Sequence, residues 1–201
     1  LELSLFLSLP ATAALIISSE EITSALFGYG SFDIFSVKNS ANALFYFALG
    51  LPAFALIKVF SSFLFARHNT KIPFYFSFLS VVINISISLY FFDKIGFIII
   101  PIATSISSWF NSLLLFVYLI FKNYFLFSKN FFSSFIKIVI TTLITTYVFY
   151  YLVNFFENYL IYESNYKLIT IILLVILTFI LYILLSIVTK AFKISDIKLK
   201  Y

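Results

Sequence analysis

Six stretches of the chain, Leu3–Ser19, Ala41–Phe65, Pro73–Phe92, Phe97–Phe121, Ile136–Phe155 and Leu168–Val188, are almost free of charge. Each approaches the roughly 20 residues that an α-helix needs to cross a hydrocarbon core. Only short polar turns separate them. A water-soluble globule cannot be built from such a chain: 63% of its residues are hydrophobic and 10% charged, too few polar groups to cover a surface. Barrel strands would alternate polar and apolar residues over about ten positions, whereas these runs are continuous. The expected fold is all-α and integral to a membrane, with six transmembrane helices.

The stretch from Leu49 to Pro73, LGLPAFALIKVFSSFLFARHNTKIP, orients the rest. It is an apolar helix that carries Lys58 inside the bilayer zone, then a basic turn, then a proline opening the next run. A lysine at a helix centre costs about 2.5–3.5 kcal/mol on insertion scales, so Lys58 is expected to face protein or a watery cavity. Arg67 follows nine residues later, about 13 Å along a helix, and the lysine stem spans part of that distance by snorkelling. Pro10, Pro52 and Pro101 lie within or beside spans and are expected to bend them. Between the first two spans, SSEEITSALFGYGSFD reads as an interfacial helix ending at a Gly28/Gly30 turn.

The connecting turns alternate in charge. One side gathers Arg67, Lys71, Lys122, Lys129, Lys137, Lys190, Lys193, Lys198 and Lys200; the other holds Lys38, Lys94 and Lys167 among Glu20, Glu21, Asp33, Asp93, Glu157 and Glu163. The positive-inside rule makes the first side cytoplasmic, and six spans put both Leu1 and the C-terminus there. The net charge of +5 therefore reports topology, with the basic tail KAFKISDIKLK near anionic membrane lipids. It gives no case for a nucleic-acid partner, because the aromatic residues lie inside the spans.

Polar residues inside the spans fall on single helical faces. Ser77, Ser80, Asn84 and Ser88 are three, four and four apart; Thr104, Ser108 and Asn111 repeat the pattern, and the fifth span has Thr141, Thr142, Thr145 and Thr146. Such residues serve either as glue between helices or as the lining of a hydrated path near the membrane midplane. Lys58, Ser61, Ser62, Arg67 and Asn111 are the candidates for a substrate cavity. No enzyme is expected. The single histidine, His68, sits in a basic turn, no acid pair lies inside a span, and no glycine-rich phosphate loop exists. The absence of cysteine excludes thiol chemistry.

Three segments carry a resemblance. LSLPATAALIISSEEITSALFGYGSFD from Leu7, ALGLPAFALIKVFSSFLFARHNTKIP from Ala48, and ATSISSWFNSLLL from Ala103 resemble the ninth, tenth and twelfth helices of the MurJ/MviN family of lipid II flippases. The resemblance is specific from about Leu3 to Tyr118 and compositional beyond it. It implies the C-terminal portion of a fourteen-helix transporter of the multidrug/oligosaccharidyl-lipid/polysaccharide exporter superfamily, with the six spans as helices 9 to 14. Residues 1–122 would be the last four helices of the C-terminal lobe, and 123–201 two additional helices with a basic cytoplasmic tail. A start at Leu1 inside an apolar run, with no methionine anywhere, agrees with a fragment whose N-terminal lobe is missing and which does not transport by itself.

The family further implies movement of undecaprenyl-pyrophosphate-linked peptidoglycan precursor, lipid II, across the bacterial inner membrane by alternating access, with the last two helices forming a groove for the polyprenyl tail. It implies no organic cofactor. Some members bind sodium, and position by position Asn84 and Thr104 would supply side chains, Ile100 a backbone oxygen, and Ser88 would stand where an acid or asparagine is usual. The family's helix-seven ligand has no counterpart in the chain, Ser62 replaces a usual proline and Asn69 a common aspartate. Two other functions stay open at this point: export of other lipid-linked sugars or of drugs, and a non-transporting scaffold for cell-wall enzymes.

Overall fold

The computed structural model describes residues 1–125 and 129–191, with only the backbone described at 129 and 130. Eight α-helices appear among them: α1 Glu2–Ile17, α2 Ser19–Phe27, α3 Ile34–Ala66, α4 Lys71–Ile95, α5 Ile99–Phe121, α6 Lys129–Phe155, α7 Glu157–Leu160 and α8 Lys167–Val188. A 3₁₀ turn, Gly96–Ile98, joins α4 to α5. Lys193, Lys198, Lys200, the tail beyond Ala191 and the side chain of Lys129 lie outside the described residues.

Four helical stretches among the described residues are long and apolar enough to cross a membrane, or five if the bent pair α1–α2 counts as one. One of the four, Lys71–Phe121, holds both α4 and α5, which fold back on each other. The helices stand in a row, α4 against α5, α5 against α3, α3 against α1, α1 against α6 and α6 against α8, with α2 laid across α3 and α8. Their directions follow from the residues that meet. Tyr46 meets Ser105 at one end of α3 and α5 while Leu64 and Leu119 pack together at the other, so these two run parallel. Phe6 meets both Ile138 and Tyr182, and Gly28 meets Lys167, so α8 runs against α1 and α6.

Consequently Leu1, the Arg67 turn, the end of α5, the start of α6 and Lys190 gather at one end, and the Gly28 turn and the α7–α8 loop at the other. Among the described residues the first end carries Arg67, Lys71, Lys122, Lys137 and Lys190. Three helices stop there on left-handed residues that are not glycine: His68 (φ 58°), Asn123 (φ 54°) and Lys190 (φ 51°). Each closes the same pair of bonds. After α3, Asn69 N–H donates to Leu64 C=O at 2.9 Å and His68 N–H to Phe65 C=O at 2.9 Å, the Schellman arrangement that satisfies orphan carbonyls.

Three expectations need correction. The first bend falls at Ser18, where α1 and α2 meet at 78°, and α1 and α3 run unbroken through Pro10 and Pro52. Ser18 turns the chain by donating both its hydroxyl and its N–H to Ala14 C=O, at 2.8 and 3.0 Å. Pro101 sits in the first turn of α5, where a missing N–H leaves no bond unmade. The third concerns length: α3 begins seven residues before the expected span, capped by Asp33, whose carboxylate accepts from Ser36 N–H at 2.8 Å. Its 33 residues extend about 50 Å, well beyond a ~30 Å hydrocarbon core.

Candidate functional site

The tightest joint in the row is α3 on α5. Gly50 lies against Ser105, whose hydroxyl donates to Tyr46 C=O at 2.5 Å, and Trp109 Nε1–H donates to Leu49 C=O at 2.9 Å. Ala48, Ala53 and Ala103 complete a small-residue contact that lets the two backbones approach. With α5 on one side of α3 and α1 on the other, a face between them is left open. There Phe47, Phe54, Lys58, Ser62 and Phe65, spaced seven, four, four and three residues apart, fall on one helical stripe, all exposed. Lys58 has no hydrogen bond or ion pair among the described residues.

The other sequence candidates are dispersed. Ser61 lines an open groove of about 590 Å³ between α3 and α4, together with Thr70, Lys71 and Ser77. Arg67 is held at the end of α3 with its guanidinium 4.1 Å from the centre of the Tyr124 ring and 4.9 Å from that of Phe63. Stacking on ring faces leaves its N–H edges free. Asn111 is buried in the α4–α5 contact and donates to Ser77 Oγ at 3.3 Å. Lys58 and Ser62 share a face; Arg67, Asn111 and Ser61 stand in three other surroundings.

The polar stripes of α4 and α5 meet directly. Asn84 Nδ2 donates to Thr104 Oγ1 at 3.1 Å and to Ser107 Oγ at 3.4 Å. Two turns away Ser77 pairs with Asn111, so one antiparallel register satisfies both contacts. Bonds of this kind average about 0.6 kcal/mol in membrane helices. Of the four sodium candidates, Thr104 Oγ1–H donates to Ile100 C=O at 2.8 Å, and Ser88 Oγ is buried one turn from Asn84 without a partner among the described residues. The donor set suits a hard monovalent cation: all oxygen and neutral. The Asn84 amide faces Thr104 with its nitrogen, so an ion would require it turned over.

On the far side of the row, α1, α6 and α8 enclose an apolar cleft of about 180 Å³ between Pro10, Ala14, Phe149, Val175, Phe179 and Tyr182. Tyr182 O–H donates across it to Phe6 C=O at 2.8 Å. Thr141 and Thr145 of α6 bond back onto their own helix, Thr141 to Lys137 C=O at 2.8 Å and Thr145 to Thr141 C=O at 3.0 Å.

Lys167 is the residue that sequence reasoning missed. It reads as a loop charge at the start of the last span, yet it is 1% exposed. Its Nζ donates to Gly28 C=O at 2.7 Å and to Tyr162 C=O at 2.6 Å, and sits 4.3 and 4.6 Å from the centres of the Tyr29 and Tyr162 rings. Tyr162 O–H in turn reaches Phe32 C=O at 2.8 Å. Gly28 is required beside it, since a Cβ there would come within 2.6 Å of Ser24 C=O and 3.2 Å of the ammonium. The partners are 139 residues apart, and no local pattern announces such a pair.

Comparison with known proteins agrees with this architecture. A family model described as lipid II flippase MurJ matches residues 1–172. The chain is 41% identical over 123 residues to a probable lipid II flippase MurJ of Rhizobium meliloti (strain 1021) and 39% identical over 118 residues to one of Rickettsia prowazekii (strain Madrid E). These alignments cover 61% and 59% of the chain and 23% of each relative, so the chain spans under a quarter of the length of the curated relatives it matches. A solved structure of lipid II flippase MurJ in an inward closed conformation superposes with a TM-score of 0.76 at 24% identity, over 92% of this chain and 37% of that one, and so shares its fold. With the family model matched over most of its length, the chain belongs to the MurJ family of lipid II flippases.

Proposed function

We propose that the chain is the C-terminal portion of a lipid II flippase of the bacterial inner membrane. The bent pair α1–α2 counts as one crossing, and α3, α4, α5, α6 and α8 as five more, giving helices 9 to 14 of a fourteen-helix transporter. Residues 1–122 would complete the C-terminal lobe, and 123–201 would add the last two helices and a cytoplasmic tail. The basic end that gathers Arg67, Lys71 and Lys122 is cytoplasmic on the positive-inside rule. Lipid II would move from the cytoplasmic to the outer leaflet as this lobe rocks against an N-terminal partner lobe. The apolar cleft of α1, α6 and α8 would take part of the polyprenyl tail.

The observation that carries this reading is the open face of α3. A lysine in an apolar span, with no partner in its own lobe, is stable only if something outside that lobe meets it. A pyrophosphate headgroup passing between two lobes supplies that charge, with Ser62 beside it. Asn84, Ser88, Ile100 and Thr104 would hold a sodium ion weakly, because no carboxylate joins them. When bound, the ion would bridge α4 and α5.

Lys58→Ala in the full-length protein should weaken rescue of a flippase-depleted strain, with Lys58→Arg retaining it. Unimpaired growth at matched expression removes the role. The α4–α5 contact, where polar residues bond helix to helix, favours a second reading as a non-transporting scaffold. Reconstituted protein that leaves labelled lipid II in one leaflet would select it.

A further inference from the structure

Side-chain bonds hold α8 in the row at both of its ends. At the Arg67 end, Tyr182 O–H donates to Phe6 C=O at 2.8 Å, and Thr189 Oγ1 lies 3.3 Å from Thr141 Oγ1. At the Gly28 end, the Lys167 ammonium donates to Gly28 C=O at 2.7 Å, and Tyr162 O–H donates to Phe32 C=O at 2.8 Å. Lys167 and Tyr182 are fifteen residues apart, about 22 Å along the helix.

The two attachments differ in kind. At the Arg67 end, helix meets helix inside the apolar cluster of Phe6, Ile138, Tyr182 and Ala191. At the Gly28 end, one charge joins two loops. Each loop gives the ammonium one carbonyl and one ring face: Gly28 C=O with the Tyr29 ring, and Tyr162 C=O with the Tyr162 ring. The loops touch, since a Cβ on Gly28 would stand 3.0 Å from the Tyr162 ring.

Lys167 is 1% exposed, and a buried cation must keep its partners. Neither loop satisfies it alone. Parting them strands the ammonium on a single carbonyl, so the joint holds or fails as a unit. No carboxylate pairs with it among the described residues; the cage is neutral, built of carbonyl oxygens and ring faces that attract N–H donors and positive charge. An apolar side chain of similar length finds nothing there to hold it.

We propose that Lys167 is a positioning residue, a clamp that ties the last two spans, α6 and α8, to the α2–α3 turn so that they move with α1 and α3 as one body. Without it, α8 pivots about the Tyr182–Phe6 bond and only the Gly28 end opens. The apolar cleft lined by Val175, Phe179 and Tyr182 of α8 lies between the two attachments, so both of them set its width. The clamp does not depend on which cargo the transporter carries.

Double electron–electron resonance on the full-length protein tests it. One pair of spin labels, at Ser31 and Asn165, spans the Gly28 end; a second, at Leu3 and Val188, spans the Arg67 end; all four positions are exposed. Wild type should give one narrow distance distribution at each end. Lys167→Met should add a longer distance at the Gly28 end, raising the opened population about tenfold or more, the effect of losing one or more charge-assisted hydrogen bonds, and should leave the Arg67 end unchanged. Lys167→Ala should open the same end. Added n-propylammonium should close it again, whereas 1-propanol, similar in size but uncharged, should not. Tyr29→Leu strips one ring from the cage and keeps both carbonyl bonds, so it should open the Gly28 end to a smaller extent, and it decides the matter if the lysine variants do not fold. A Gly28-end distance unmoved in the variants that fold, equal broadening at both ends, or rescue by propylammonium no better than by propanol overturns the proposal.

Discussion

Replacing Gly50 with alanine probes the joint on which the whole row depends. A Cβ at that position would stand 2.8 Å from Ser105 Oγ, 3.1 Å from Ser105 Cα and 3.1 Å from the Phe54 ring. Carbon contacts are comfortable at about 3.5–4.0 Å. Either α3 and α5 part by roughly half an ångström, or the Ser105 hydroxyl swings away and loses Tyr46 C=O. Overpacking of this size costs about 1–3 kcal/mol, against about 0.5–1 kcal/mol gained from the better helix propensity of alanine. The net expectation is a loss of about 0.5–2 kcal/mol, which lowers the melting temperature by about 2–4 °C per kcal/mol in a domain of this size. Fluorescence-detected thermal unfolding of the full-length protein in detergent reads this.

Gly50→Val, with a second branch in the same space, should be worse than Gly50→Ala. Ser105→Gly removes the hydroxyl, the nearest of the crowding atoms, while Ser105 Cα at 3.1 Å stays, so it should partly rescue Gly50→Ala in a double-mutant cycle, with coupling of about 0.5–2 kcal/mol. Alanine that is neutral or stabilising alone, with valine equal to wild type, would refute the close approach of α3 and α5.

Lys167→Met should destabilise by about 2–3 kcal/mol, because two charge-assisted bonds are lost and the Gly28 and Tyr162 carbonyls are left buried; a melting curve checks it. His68→Gly should raise stability by about 1 kcal/mol in the same assay, since it relieves a left-handed residue at φ 58° without touching the Schellman bonds. The Asp33 carboxyl is held below its ordinary range by the N–H and hydroxyl of Ser36. A lowered value in the folded state adds stability above the unfolded value of about 3.9 that is lost as pH falls through the folded one. Protection of the amides in the first turn of α3, taken relative to their intrinsic exchange rates at each pH, should therefore fall at acid pH, and Asp33→Asn should keep the cap while abolishing that loss of protection.

Apolar run length located the helices well because a hydrocarbon core imposes one dimension on all of them: Pro73–Phe92 became Lys71–Ile95 and Leu168–Val188 became Lys167–Val188. Charge in the turns likewise divided the two ends of the bundle as the described contacts do. Faces were legible only in part. The spacing of Ser77, Asn84, Thr104 and Asn111 showed two stripes, but stripes that meet and stripes that line water have the same periodicity, and only packing distinguishes them. The bend went to Ser18 instead of Pro10 because a serine hydroxyl can turn a helix as a proline does, and sequence does not say which residue prevails. Non-glycine caps at His68, Asn123 and Lys190 carry no glycine signal. Lys167 was invisible for a different reason: its burial is made by Gly28 and Tyr162, and a lysine at a helix start is ordinarily solvated.

The alternating arrangement of the helices, basic end inward, is what every functional step above requires, and cysteine accessibility measures it directly. The chain contains no cysteine of its own, so single probes at exposed positions report without background once any upstream cysteines are replaced. Ser31→Cys and Asn165→Cys should react with a membrane-impermeant maleimide in intact cells, whereas Thr70→Cys and Lys122→Cys should react only after permeabilisation. Labelling of Thr70→Cys from outside, or of Ser31→Cys and Thr70→Cys from the same side, would contradict the arrangement.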